Sequence, residues 1–229
     1  MIELRNIWFS YIGNNYVIRN VSVSFDRDVI AIMGPNGSGK TTLLKIASCI
    51  YRPVKGKVIV DGVDYWSLSE QEKVKYRRRI VYVHEKPILL KGKVADNIGY
   101  GLRIRGYSRV EVEEKVIKIA KELNILHLID KKANELSTGE KQLVALARAL
   151  ILNPNYLFLD EPLANLHLAV RRQVVEVLKK VRDEGKTTIV IATHDPLLAL
   201  TMASKVIILD RGRIVQTGKP QNILNKYII

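Results

Sequence analysis

Residues 34–42 read GPNGSGKTT and directly follow the short apolar run VIAIM. The pattern G-x-x-x-x-G-K-[ST] between a strand and a helix is a phosphate-binding loop with a mechanism. Glycines let the backbone turn tightly and approach a ligand, and the helix that follows turns its first N–H groups toward an anion. Asn36, Gly37, Ser38 and Gly39 would offer backbone N–H groups to a β-phosphate, with Gly34, Pro35 and Thr42 framing the loop. Lys40 would bridge β- and γ-phosphates and Thr41 would ligate Mg²⁺. An ordinary glycine turn has no use for that lysine and threonine together. The segment therefore fixes a strand–loop–helix unit early in the chain and makes an α/β fold the first expectation.

The flanking sequence agrees. IELRNIWFSY, VIRNVSVSF and VIAIM read as strands, residues 39–48 as a helix, residues 57–62 as a strand and turn, and RIVYV as a strand. Residues 95–152 turn helical, with VEVEEKVIKIAKEL showing apolar positions at three- and four-residue spacing. YLFLD, a helix over 166–184, TTIVIAT, a helix over 196–203 and KVIILD then alternate. Such alternation implies a mainly parallel sheet covered by helices, with the helical middle inserted into it. There is no internal repeat and no low-complexity segment.

Composition narrows the class further. At 229 residues and 47% hydrophobic, the chain can bury a sizeable core. No apolar run approaches the roughly 18 residues of a membrane span. Glu3 and Arg5 interrupt the start where a secretory signal needs apolar residues, so a cytoplasmic location is expected. The single cysteine, Cys49, excludes an internal disulfide and is assigned to packing in the helix after the phosphate loop. The net charge of +14 favours polyanionic partners. Its densest segment, KVKYRRR at 73–79, reads as a solvated helix surface, because no nucleic-acid motif accompanies it.

Two further motifs carry chemistry. In YLFLDEP, a buried strand would deliver Asp160 to a metal at its carboxyl end. Glu161 follows, where a carboxylate can take a proton from an attacking water, a contribution of about 10²–10⁴ in rate. In ELSTGEKQLVALARAL, Ser137 and Glu140 form a capping box that opens a helix with Gly139 in its first turn. That start is a second anion-binding helix terminus, far in sequence from the first.

GPNGSGKTT, LSTGEKQ, LDEP and IATHD, in that order, make the whole chain resemble the nucleotide-binding subunit of an ATP-binding cassette transporter. The resemblance implies a P-loop nucleoside-triphosphatase core with a mainly parallel sheet, an N-terminal antiparallel β subdomain, and an inserted helical subdomain over 85–152 that carries the signature, all in one domain spanning 1–229. It implies an ATPase using ATP and Mg²⁺, catalytic roles for Glu161, His194 and Lys40, and a second copy whose γ-phosphate meets Ser137 and Gly139. Tyr11 resembles the aromatic residue that stacks on adenine, with Phe9 and Tyr16 as alternatives, and His194 resembles the switch histidine. A separate integral-membrane permease and, indirectly, a solute-binding protein would be the partners, with no nucleic acid. The chain would then sit at the cytoplasmic face of the cell membrane.

Four departures stand out. Glu85 occupies the position of the family's metal-contacting glutamine, with His84 before it. His167 stands where an aspartate is usual at the dimer contact, Thr138 replaces the first signature glycine, and Glu140 replaces a glutamine. His84, His167 and His194 have no spacing that supports a metal cluster. The rival readings are a soluble cassette ATPase of translation or nucleic-acid maintenance, disfavoured by the single phosphate loop and the lack of heptads over 55–134, and a plain P-loop kinase, which would not need LSTGEKQ before LDEP. A cassette without a fused membrane domain is similar to prokaryotic importers, and residues 87–106 resemble cassettes of oxyanion importers. The chain leaves no room after Tyr227 for an added regulatory domain.

Overall fold

The computed structural model describes residues 1–13 and 15–224, so Tyr227 and the end of the 1–229 span lie outside the described residues. The chain divides into two compact units. The first comprises Met1–Tyr82, Asn155–Glu161 and the chain from Val181; the second comprises Val83–Pro154 and Pro162–Lys180.

The first unit holds two sheets. β1 (Ile2–Phe9), β2 (Ile18–Phe25), β4 (Lys55–Val60) and β5 (Val63–Asp64) form an antiparallel sheet in the order β2-β1-β4-β5. β3 (Val29–Met33), β6 (Ile80–Val83), β7 (Tyr156–Asp160), β8 (Thr188–Ala192), β9 (Lys205–Asp210) and β10 (Arg213–Gly218) form the other, in the order β10-β9-β3-β8-β7-β6. β9, β3, β8 and β7 run parallel, and β10 closes the edge antiparallel to β9. Every residue of β3, β7 and β8 is buried, as strands covered on both faces must be. The mainly parallel core and the antiparallel N-terminal sheet match the sequence expectation. Their shared core includes Phe25 edge-on to Phe158, with ring centroids 6.1 Å apart.

Several local readings change. β5 and β10 carry no buried position to register as periodic segments, and β10 exposes four of its six residues; α8 (Pro220–Leu224) buries three of five but is too short to show a helical period. Cys49 is buried but sits past the end of α1 (Lys40–Ala47), in a turn with φ 61°, and burial pushes its thiol up to about 12. α2 (Glu70–Arg77) is not solvated throughout. Lys73 is 8% exposed, pairs with Glu70 at 2.8 Å, and holds its ammonium 5.3 Å from the centre of the Trp66 ring. Its four-carbon stem covers apolar surface while the aromatic faces and Glu70 receive the charge.

In the second unit, α3 (Val94–Arg103), α4 (Arg109–Glu122) and α5 (Thr138–Leu150) pack together with the start of α6 (Leu168–Asp183). Capping boxes open α4 at Ser108 with Glu111 and α5 at Ser137 with Glu140. Buried Asn97 on α3 donates to the carbonyls of Leu90 and Lys93 and accepts from the Leu90 N–H, which ties the preceding irregular stretch to the helix. Gln173 on α6 donates to the Leu123 carbonyl at 2.6 Å. Among the described residues, no helix is long and apolar enough to cross a membrane.

Candidate nucleotide-binding site

The loop from β3 to α1 has its shape because two glycines leave no room for anything larger. Gly34 has φ 149°, and a Cβ there would lie 2.0 Å from the Leu209 carbonyl oxygen. Gly39, the N-cap of α1, has φ 104°, and a Cβ would lie 2.9 Å from Ile18 Cδ1. With no side-chain cap on this helix, the first N–H groups are left for a ligand. Lys40 folds back across the loop and donates to the Gly34 and Pro35 carbonyls at 2.9 and 3.1 Å. Both acceptors are neutral, and the lysine is 8% exposed. The Ser38 hydroxyl is buried with no hydrogen-bond partner. A buried ammonium, an orphaned hydroxyl and a helix start in one loop fit the oxygens of a phosphate chain.

Asp160 ends β7 beneath this loop, and it is 2% exposed. Thr41 Oγ1 donates to its Oδ1 at 2.9 Å, and the Tyr82 hydroxyl donates to its Oδ2 at 2.8 Å. Thr41 and Asp160 thus bring hard oxygen donors together, the donor chemistry that Mg²⁺ selects. Glu161, next in the chain, adopts φ 45°, a left-handed conformation that costs a non-glycine residue about 1–3 kcal/mol. Its N–H donates to the Ala192 carbonyl at 2.9 Å, which holds the turn against the end of β8. Glu161 Oε2 lies 3.0 Å from His194 Nδ1. Asp195 fixes that histidine's turn by capping α7 (Pro196–Met202), accepting from the N–H groups of Leu197 and Leu198. The His194 side chain is 67% exposed, and a proton on Nδ1 would let it donate to Glu161 and leave Nε2 for a ligand.

The Tyr11 hydroxyl lies 2.9 Å from Thr42 Oγ1, and its ring sits edge-on to Phe9 and Tyr51. Tyr11 is 56% exposed while Phe9 is buried, so Tyr11 is the one of this pair with a face to offer. Tyr16 packs edge-on to Trp8 instead.

Lys40, Thr41, Asp160, Glu161, His194 and Tyr11 therefore all belong to the first unit. Glu85, Ser137, Gly139, His84 and His167 belong to the second. There, Ser137 Oγ accepts from the Glu140 N–H and Glu140 accepts from the Ser137 N–H, so the glutamate closes the capping box. That Ser137 N–H bond holds the Glu140 carboxyl below its ordinary range. Gly139 has a structural reason within the chain, since a Cβ would come 3.0 Å from Val170 Cγ2. Sequence reasoning passed over Tyr82. Its neighbour β7 is separated from the end of β6 by 72 intervening residues, so the contact has no local signal.

A phosphate cradle at a helix start, with an acidic pair at the end of a parallel strand beside it, defines a P-loop nucleoside triphosphatase. The profile of the ABC transporter family matches residues 18–164, and the chain belongs to that family. It is 37% identical over 227 residues to the molybdate/tungstate import ATP-binding protein WtpC of Methanocaldococcus jannaschii, covering 99% of this chain and 73% of that one. It is 32% identical over 224 residues to the Fe(3+) ions import ATP-binding protein FbpC of Escherichia coli K12, covering 97% of this chain and 63% of that one. Among solved structures it resembles the dimeric post-hydrolysis state of the ATP-binding cassette MJ0796 bound to ADP and phosphate, with TM-score 0.87, 30% identity, and 96% and 99% of the two chains covered. It also resembles cbiO1 of Clostridium perfringens, part of a transporter complex, with TM-score 0.88, 27% identity, and 99% and 91% covered. The protein is an ATP-binding cassette with ATPase activity.

Proposed function

We propose that this cassette hydrolyses ATP to drive a separate membrane permease that imports solute, from a peripheral position on the cytoplasmic face of the membrane. The observation that carries the reading is the convergence of Thr41, Asp160, Glu161 and His194 on the mouth of the phosphate loop. The importer names of the relatives above support the direction of transport, and the molybdate/tungstate relative supports an oxyanion as cargo. A solute-binding protein would deliver that cargo to the permease.

Each residue has a role in this reading. Backbone N–H groups over 36–39 hold the β-phosphate, and Lys40 leaves its two carbonyls for the β,γ-bridge, exchanging neutral acceptors for anionic ones. Thr42 closes the loop, and Tyr11 turns a ring face to adenine. Thr41 and Asp160 would hold Mg²⁺, which when bound neutralises phosphate charge. Glu161 takes the proton of the attacking water. His194, donating through Nδ1, keeps that carboxylate aimed and turns Nε2 to the γ-phosphate. Ser137 and Gly139 complete the site of a second copy in an ATP-dependent homodimer. The helical insertion of 85–152 is taken as the segment that carries this signature within a single 1–229 domain.

The test is reconstitution with the permease encoded or purified alongside this chain. ATP-dependent uptake of molybdate or tungstate into vesicles is expected, and it should vanish with Glu161→Gln. Uptake of Fe³⁺ and not of an oxyanion would overturn the cargo assignment, and ATPase activity indifferent to any permease would overturn the transport role.

A further inference from the structure

Tyr82 makes a side-chain contact in this site that the motifs do not supply. Asp160 is an almost fully buried carboxylate whose two oxygens receive different donors: Thr41 from α1 on Oδ1, and Tyr82 from the adjacent strand on Oδ2. The first donor belongs to the phosphate loop and must share its oxygen with any cation bound there. The second comes from strand β6, outside the loop sequence. We propose that Tyr82 is a positioning residue for cation binding: its hydroxyl pins Asp160 Oδ2 and so holds Oδ1 toward Thr41 and the phosphate mouth. This inference rests on the nucleotide site proposed above and adds a residue to it.

The physical argument is rotational. A carboxylate on a Cβ turns about a broad two-fold torsion, and a buried one with a single anchored oxygen can swing out of register. A donor on each oxygen removes that freedom. Outer hydrogen bonds of this kind to ligating carboxylates are worth about 10–100-fold in metal affinity or activity. The geometry of the strands sets the reach of Tyr82, because β6 lies beside β7 in the sheet.

Tyr82→Phe removes one oxygen and keeps the ring; Tyr82→Leu removes the ring as well. Mn²⁺ binding to the ADP-loaded chain is titrated by electron paramagnetic resonance, and ADP binding is measured separately in EDTA. The expected result is that both variants bind Mn²⁺ at least about tenfold more weakly than the parent, while ADP affinity in EDTA and the melting temperature of the Phe variant stay near the parent's. In steady-state hydrolysis the Phe variant should need correspondingly more Mg²⁺ for half-maximal rate and reach a similar plateau. If the Phe variant binds Mn²⁺ like the parent and only the Leu variant is weakened, the ring acts by packing and the proposal is overturned. A parent chain that binds ADP but no Mn²⁺ would instead overturn the cation site itself, and Tyr82's role with it.

Discussion

Gly139→Ala separates the two reasons this helix start has for a glycine. Within the chain, the added methyl would sit 3.0 Å from Val170 Cγ2 and 3.3 Å from Cγ1, so Val170 must give by a few tenths of an ångström. Val170 is half-buried on the first turn of α6 and is able to move. Against that strain stands the backbone gain of replacing glycine by alanine in a helix, up to about 1 kcal/mol. The two effects oppose, and urea unfolding should place the variant within about 1 kcal/mol of the parent. Activity should behave differently. On the proposed reading, in which the second copy's γ-phosphate approaches this helix start, the added methyl interferes with that approach, and steady-state ATP hydrolysis should fall by tenfold or more, about 1.4 kcal/mol in the barrier. Adding Val170→Ala relieves the internal crowding and should restore any lost stability without restoring turnover. A double variant with parental turnover would refute the reasoning, because the glycine would then serve only the packing of α5 on α6.

Other outcomes follow from the same chemistry. Glu85→Gln is expected to make hydrolysis depend less steeply on free Mg²⁺ while preserving or raising basal turnover, since an amide supplies oxygen without a charge beside phosphate; superimposable Mg²⁺ titrations would count against a ligand role for Glu85. Ser137→Arg should abolish ATP-driven dimerisation, read by light scattering, with nucleotide affinity of the monomer little changed. Asp61 is partly buried, which alone would raise its pKa, but donation from Tyr156 and the N-terminal amine and the nearby Arg79 outweigh this and hold it below the ordinary carboxylate range. Because the folded-state pKa is depressed, its contribution is full above the unfolded value and is lost as pH falls through the folded one. Asp61→Asn should therefore lower the melting temperature at pH 7 and converge on the parent in strong acid; a difference that does not change with pH would contradict this.

The parts of the molecule that were legible beforehand are those whose physics is local. Gly34, Gly39, Lys40 and Thr41 sit within eight residues of one another, and the backbone they require is written in that spacing. β3, β7 and β8 are continuous apolar runs because both faces are covered, and the capping box at Ser137 needs only a serine and a glutamate three residues apart. What could not be read depends on non-sequential neighbours or on weak burial. β10 buries none of its residues and so shows no buried face, Lys73 was assigned to solvent because Trp66 is brought over it only by the fold, and Tyr82 meets Asp160 across a strand pair that closes late in the chain. The left-handed turn at Glu161 was likewise invisible, since its strain is held by the Ala192 carbonyl at the end of β8.

The assignment of Glu161 as the residue that activates water is the centre of the account, and single-turnover hydrolysis of radiolabelled ATP by Glu161→Gln tests it most directly. Nucleotide binding measured in parallel should match the parent, because Lys40, Thr41 and Asp160 are intact, while the hydrolytic step should slow by about 10²-fold or more. Cleavage at close to the parental rate with ATP fully bound would contradict that assignment.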